Sequence, residues 1–265
     1  VDSNGVEAGF SSWGPSSDGQ IKPNVASKGY KATIADVSSG LPTQGSGTSF
    51  ACPNMAGLTS CLWQAFPEAN NMDIIYTLQQ AADKFSNPDD RVGYGIPDMK
   101  KAFTILINKY YQQQIRQEGC ETNISFSAKA NDLMNFVIER KLPTDADYVA
   151  IETKIVTGDF KKNEFNFRDD LSGISVPANI SYRIKMNIDT DTSFYFSPVV
   201  INHLNPCQTY TFTGNGNYDV ATNWTANSIP PATLPAGNTI IINPLGSGVC
   251  TLNINQVVSP GGKFE

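Results

Sequence analysis

The spacing of hydrophobic residues predicts helices in the first part of the chain. Residues 50–66 form a strongly apolar run, which predicts a buried helix with Pro53 in its first turn. Proline is tolerated there because the first amides of a helix have no intrahelical acceptor. Apolar positions three and four residues apart predict two further helices, the second of them capped by Asp98. The predicted elements around the apolar run are helices over 72–82 and 99–111 and short strands over 6–10 and 31–35.

After residue 116 the pattern changes to period-two alternation. Regular short strands separated by turns are typical of a β-sandwich, here of about 90 residues. The polar residues 110–117 are interpreted as the exit from the first domain. Asp189 and Asp191 lie between two strands, and we favour a tight polar hairpin over a calcium site. The predicted strands are 122–128, 134–140, 148–156, 164–168, 181–188 and 193–201.

Composition excludes two classes of partner. The net charge is −6 and Lys and Arg do not cluster, which argues against a nucleic-acid partner. The apolar stretches are far shorter than a membrane span. Only 17% of residues are charged, and the chain contains 21 Gly and 16 Pro. This composition favours strands and turns over helical bundles.

The chain has five cysteines, an odd number. Cys52 and Cys61 are nine residues apart on the predicted helix, too far to pair, and both are interpreted as buried small hydrophobic residues. Cys120 and Cys207 bracket the middle region and are candidates for a disulfide, while Cys250 has no obvious partner. No spacing of Cys and His suits a zinc site, so no metal ligands are predicted.

The most informative residue is Ser49, which follows a pliable Gly47-Thr48 turn and opens the apolar helix. At the amino end of a helix a serine hydroxyl can project, and its backbone amide stays free to polarise an oxygen. These are the requirements of an activated nucleophile beside an oxyanion hole.

Four motifs occur in the order seen in subtilisin-like serine proteases, and the resemblance covers about residues 1–115. They are 10–15 (FSSWGP), 21–26 (IKPNVA), 47–57 (GTSFACPNMAG) and 93–98 (GYGIPD). The resemblance implies that Ser49 attacks a polypeptide substrate and that its amide, supported by the Thr48 hydroxyl, binds the oxyanion. It also implies that Gly47 admits the substrate backbone and that Phe10 lines the leaving-group side of the cleft. It implies no cofactor for this chain and allows calcium only in the complete catalytic domain.

Two members of the family's triad have no place in this chain. The triad order is Asp, His, Ser, with about 160 residues between His and Ser, whereas 48 residues precede Ser49. The single histidine, His203, lies far downstream and is interpreted as an ordinary strand or loop residue. We therefore expect the C-terminal part of a protease, truncated at its N-terminus and inactive alone, whose partner is the missing N-terminal part of the catalytic domain.

The expected fold class is multidomain: a partial α/β subtilisin-like domain (1–116), an all-β sandwich (117–206) and a short strand-rich segment (207–265). The second segment resembles fibronectin-III-like modules, and the third resembles the opening turns of a β-solenoid or adhesin-like module. Such modules follow catalytic domains in secreted bacterial proteins, so these resemblances imply a secreted or cell-surface protein of a bacterium. The alternative is a non-catalytic secreted or surface protein, in which a protease remnant carries β-modules.

Overall fold

The computed structural model describes residues 1–174, 177–203 and 207–265. These residues form two compact units, Val1–Tyr110 and Tyr111–Glu265. The predicted end of the sandwich at residue 206 lies outside the described residues. In the described part of the chain, no helix combines the length and the apolar character needed to cross a membrane.

The first unit contains three helices and one antiparallel pair of strands. The two predicted helices are confirmed, and so is the Asp98 cap, whose Oδ1 accepts from the Lys100 amide at 2.8 Å. The first of the two helices is capped by Asn70, whose Oδ1 accepts from the Asp73 amide at 2.9 Å, and this cap was not predicted. Their buried side chains include Ile74 and Leu106, which form part of the core of this unit. The elements are β1 (Ala32–Ala35), β2 (Pro42–Gly45), α1 (Thr48–Ala65), α2 (Asn71–Ala81) and α3 (Met99–Tyr110).

The prediction that the apolar helix is buried is wrong. Helix α1 forms over Thr48–Ala65, yet Leu62 is its one buried residue, and Leu58 is 46% exposed. Cys52 and Cys61, predicted to be buried, are exposed on the same helix. A helix that is apolar on all faces needs neighbours on every side, and the described residues of this unit cover α1 only in part.

The predicted strand over residues 6–10 is also wrong. The segment starts instead with a turn in which Asp2 Oδ1 accepts from the amides of Asn4 and Val6, an arrangement that Asp favours in competition with strand pairing. The strand predicted at 31–35 is confirmed as β1, and it pairs with β2, which lacks any apolar alternation and was not predicted. Among the described residues of this unit, β1 and β2 form the one sheet.

The loop that closes the first unit depends on Asp89. Its Oδ2 accepts from Lys84 Nζ at 2.6 Å, and its Oδ1 accepts from the amides of Arg91 and Val92, both at 2.9 Å. The hydrogen bond from Lys84, followed by those from the two amides, lowers the pKa of Asp89 to about 2. The ionised form is therefore favoured by folding.

Asp89→Asn is expected to lower the unfolding midpoint of the first unit at pH 7. Because the folded-state pKa lies below the unfolded value, the stabilising effect is present above about pH 4 and is lost as the pH falls through about 2. Thermal unfolding of both proteins from pH 7 to pH 2 measures this, and the two midpoints should converge at the acidic end. A constant difference between the midpoints across that range would contradict the assignment.

The second unit begins with two antiparallel sheets that pack face to face. One sheet has the order β3-β4-β7, and the other has the order β10-β8-β5-β6, with β9 paired to β8. Phe126 and Phe136, whose rings are 5.3 Å apart, join the two inner faces. The strands are β3 (Gln112–Glu118), β4 (Glu121–Ala130), β5 (Asn135–Lys141), β6 (Val149–Ile155), β7 (Lys161–Asp170), β8 (Ala178–Asn187), β9 (Ser193–Tyr195) and β10 (Val199–His203).

Two features of these sheets differ from the sequence predictions. The polar segment interpreted as a domain exit is β3, so the predicted boundary at 116–117 falls inside a strand and the division lies after Tyr110. Strand β3 escaped prediction because its outer residues are polar and its inner ones are only half-buried. The strand predicted over 193–201 is split into β9 and β10 near Pro198, which has no amide for a ladder.

A buried polar cluster connects the two sheets. Arg140 Nη1 donates to both carboxylate oxygens of Asp169 at 2.9 Å, and the Tyr182 hydroxyl donates to Asp169 Oδ2 at 2.6 Å. Burial, followed by the hydrogen bond to Asp169, raises the pKa of Tyr182. Asp169 is only 6% exposed, and a polar group buried to that extent needs hydrogen-bond partners. Arg140 and Tyr182 provide them.

The C-terminal part of the second unit consists of short strands that pair in parallel. Its ladders are β11-β14-β17, β12-β15 and β13-β16. They surround a core of Phe212, Tyr218, Trp224, Leu234 and Ile240. The strands are β11 (Thr209–Phe212), β12 (Gly216–Asn217), β13 (Thr233–Leu234), β14 (Thr239–Ile242), β15 (Cys250–Thr251), β16 (Val257–Val258) and β17 (Lys263–Phe264).

One disulfide connects the sandwich to the parallel strands. It joins Cys120, in the turn between β3 and β4, to Cys207, just before β11. The pairing proposed from the sequence is therefore present. Gly237, with a φ of 81°, lies against this turn, and a side chain there would meet Cys120 Sγ at 2.5 Å. Close packing thus adds to the covalent connection.

Candidate active site

Gly47 sets the position of the serine turn. Its φ of 158° and ψ of 154° are angles that residues with side chains rarely adopt. Its amide donates to Gly29 O at 2.8 Å, and a Cβ on Gly29 would lie 2.7 Å from Gly47 O. Two glycines therefore permit a close backbone approach immediately before the helix that carries Ser49.

Ser49 is the second residue of α1 and is exposed, as is Thr48. Within the described part of the chain, no hydrogen bond involves the Ser49 hydroxyl. The first amides of a helix lack intrahelical acceptors and lie at the positive end of the helix dipole. The 18-residue helix carries no acidic residue in its first turn that would offset this potential. The local field therefore favours an oxygen that gains negative charge beside Ser49.

Phe10 and Thr48 share a cavity that extends along α1. The cavity has a volume of about 580 Å³, and Met55, Thr59 and Trp63 line its helical wall. Gly47 and Ser49 are not among its lining residues. Phe10 is 46% exposed, and its ring lies 6.4 Å from that of Tyr30. The four predicted site residues are therefore in one unit, but only two of them contact the cavity.

The first unit contains no histidine to act as a general base. His203 lies in β10 of the second unit and is fully buried. Its Nδ1 is hydrogen-bonded to Gln117 Nε2, and its Nε2 lies 3.4 Å from Ile174 O. Both ring nitrogens thus have partners inside the sandwich, which agrees with the interpretation of His203 as a structural strand residue.

Two supporting interactions near the site had no signal in the sequence. Asn54 Nδ2 donates to Lys28 O at 3.1 Å, which joins the first turns of α1 to a segment 26 residues earlier. Arg91 stacks on the Trp13 ring at 3.4 Å and donates to Glu7 Oε2 at 2.6 Å. Both depend on residues far apart in the chain, so local patterns could not reveal them.

No metal site is present in the described residues, where no three His, Cys, Asp or Glu side chains group in a way that could hold an ion. Asp189 lies in a tight turn, where its Oδ1 accepts from the amides of Asp191 and Thr192. The hairpin interpretation of this segment is therefore confirmed.

Comparisons with known proteins find similarity over part of the chain. The model of the subtilase family matches residues 1–95. A solved structure, that of MycP1 from Mycobacterium smegmatis, is 26% identical with a TM-score of 0.32, over 39% of this chain and 28% of that one. No curated protein matches the chain. The chain therefore covers well under two thirds of the length of that solved structure. Residues 1–95 of this chain are subtilisin-like.

Proposed function

We propose that this chain is the C-terminal part of a secreted subtilisin-like serine endopeptidase with Ser49 as its nucleophile. The observation that carries the proposal is the exposed Ser49 hydroxyl at the amino end of α1, inside the region that matches the subtilase family. The Asp and His of the triad come from polypeptide outside this chain, either covalently preceding Val1 or as a nicked companion.

In the proposed mechanism, Ser49 Oγ attacks the carbonyl carbon of a peptide bond. Its proton passes to the histidine of the other segment and then to the leaving amine, and water hydrolyses the resulting acyl-enzyme. The Ser49 amide donates to the tetrahedral oxyanion, with support from the Thr48 hydroxyl. Gly47 admits the substrate backbone, and Phe10 lines the leaving-group subsite. No cofactor is proposed for this chain, and calcium is left to the complete catalytic domain.

The remaining residues are proposed to be β-modules that accompany the catalytic domain. A three-stranded sheet packed on a larger antiparallel sheet supports a fibronectin-III-like sandwich. Three parallel ladders, each built from strands far apart in sequence, support the start of a β-solenoid. The Cys120–Cys207 disulfide supports secretion or display at the surface of a bacterial cell, because disulfides persist in oxidising compartments.

Labelling by a fluorophosphonate tests the proposal, since this reagent requires an activated serine. The parent protein, meaning this chain together with the proposed preceding segment, should be labelled at Ser49, and the 265-residue chain alone should not. Ser49→Ala should abolish labelling of the parent, while Ser38→Ala, at an exposed position in the turn between β1 and β2, should leave it unchanged. An unlabelled parent would instead favour the non-catalytic protein with a protease remnant.

A further inference from the structure

Residues 28–31 are joined to the serine turn on both sides of Ser49. Three hydrogen bonds connect them to residues that precede and follow the nucleophile, across 15 to 26 positions of sequence. The bonds run from the Lys31 amide to Ser46 Oγ at 3.0 Å, from the Gly47 amide to Gly29 O at 2.8 Å and from Asn54 Nδ2 to Lys28 O at 3.1 Å. The position of the turn is therefore set by this distant segment as well as by its own conformation.

Gly29 makes the closest approach to the turn. It is buried, and a Cβ at this position would lie 2.7 Å from Gly47 O and 3.0 Å from Ala51 Cβ. Non-bonded carbon atoms pack at about 3.5–4.0 Å, so an added methyl group would force one of the two segments to move. Gly47 O is also the acceptor of the Phe50 amide at 3.1 Å, the hydrogen bond that closes the turn containing Ser49.

The backbone conformation of Gly29 does not itself require glycine. Its φ lies outside the left-handed region that favours this residue. No positive φ therefore excludes alanine at this position, and what excludes it is the lack of space between the two segments. A substitution at Gly29 thus tests the separation of the segments and not the strain of an unusual backbone.

Residues 28–31 are held by a second contact, with Val1. Val1 O accepts from the amides of Gly29 at 3.0 Å and Tyr30 at 3.1 Å. Gly29 is thus hydrogen-bonded through its amide to Val1 and through its carbonyl to Gly47. Because a shift of Gly29 that made room for a methyl group would strain these bonds, part of the displacement falls on the serine turn.

We propose that Gly29 is a positioning residue for Ser49, and that the lack of a side chain there sets where the turn presents the hydroxyl. Its effect passes through Gly47 and Ala51, which precede and follow the nucleophile. Misplacement of a reacting group by about 1 Å can lower a rate by about a hundredfold. The inference rests on the proposed function of Ser49 as the nucleophile.

The rate and the final extent of fluorophosphonate labelling of the parent protein test the proposal. In Gly29→Ala we expect the rate constant to fall about a hundredfold, while the final extent of labelling stays that of the wild type. A substitution that only destabilised the fold would do the opposite, because unfolded molecules lower the extent and folded ones react at the normal rate. With a peptide substrate, kcat should fall by a similar factor and KM should change by less than about threefold.

The double variant Ser46→Ala/Asn54→Ala decides the question if Gly29→Ala does not fold. Both side chains are exposed, and their removal breaks two of the three hydrogen bonds to residues 28–31. The rate constant of labelling should fall about tenfold. Gly173→Ala is the control for adding a methyl group, since Gly173 is exposed in the second unit and a Cβ there meets no atom within 4 Å. This variant should be labelled at the wild-type rate.

The possible failures distinguish this inference from the proposed function. A wild-type rate constant in Gly29→Ala, or in the double variant if Gly29→Ala does not fold, would overturn the positioning role and leave the assignment of Ser49 intact. A reduced extent of labelling with an unchanged rate constant would also overturn it, since the role of Gly29 would then be structural. An unlabelled wild-type parent would overturn the proposed function and the positioning role together.

Discussion

Replacing Ser49 with alanine is expected to lower peptide-bond turnover by on the order of a million-fold in the parent protein, with substrate affinity little changed. The variant loses the attacking oxygen but keeps the backbone amide of residue 49 at the start of α1. Binding of the oxyanion by that amide therefore remains. Steady-state kinetics on a peptide substrate, with kcat and KM determined separately, measure the loss.

Ser38→Ala is the control for this prediction. Ser38 is exposed in the turn between β1 and β2 and does not line the cavity shared by Phe10 and Thr48. Its replacement removes the same chemical group away from the serine turn, so turnover should stay within about twofold of the wild type, as for a surface substitution. A Ser49→Ala parent that retained full turnover would refute the assignment of the nucleophile, whatever the behaviour of the control.

Removing the disulfide with Cys120→Ser/Cys207→Ser is expected to destabilise the second unit by about 4.6 kcal/mol, the chain-entropy value for a sequence separation of 87 residues. The crosslink restricts the unfolded chain, and the loop that it closes contains most of the sandwich. Urea unfolding monitored by tryptophan fluorescence is a suitable measurement because Trp224 is buried in the core of the parallel strands.

Cys250→Ser provides the control for serine in place of cysteine in the same unit, since Cys250 is partly buried and unpaired among the described residues. Its effect on the free energy of unfolding should be well below that of the double variant. Reduction of the wild type should reproduce the loss in the double variant. An unfolding midpoint that is the same with and without reductant would show that the disulfide contributes no stability.

Local chemistry allowed much of the fold to be predicted. Helices α2 and α3 were predicted from apolar spacing, and α3 also from Asp98, which caps its first amides. Strands β4 to β8 were predicted because one face of each is apolar and the other polar. Ser49 was proposed as the nucleophile from a glycine turn before an apolar helix together with the order of four short motifs.

Predictions failed where the outcome depended on residues distant in sequence. Helix α1 was predicted as a helix correctly, but its burial depends on which elements surround it. Strand β3 is a strand because β4 offers it a partner, although its own composition is polar. The register of β3, β4 and β7 likewise brings Arg116 and Arg168, 52 positions apart, to either side of Asn123.

Local conformations, the serine turn and the resemblance of about residues 1–115 to subtilases could be predicted from short stretches of sequence, because hydrogen bonding and side-chain periodicity act over a few residues. Which faces are covered, the contact of Cys120 with Cys207 and the pairing of both His203 nitrogens within the sandwich depend on tertiary contacts. Burial and pairing are properties of contacts between distant segments, and no short stretch of chain contains them.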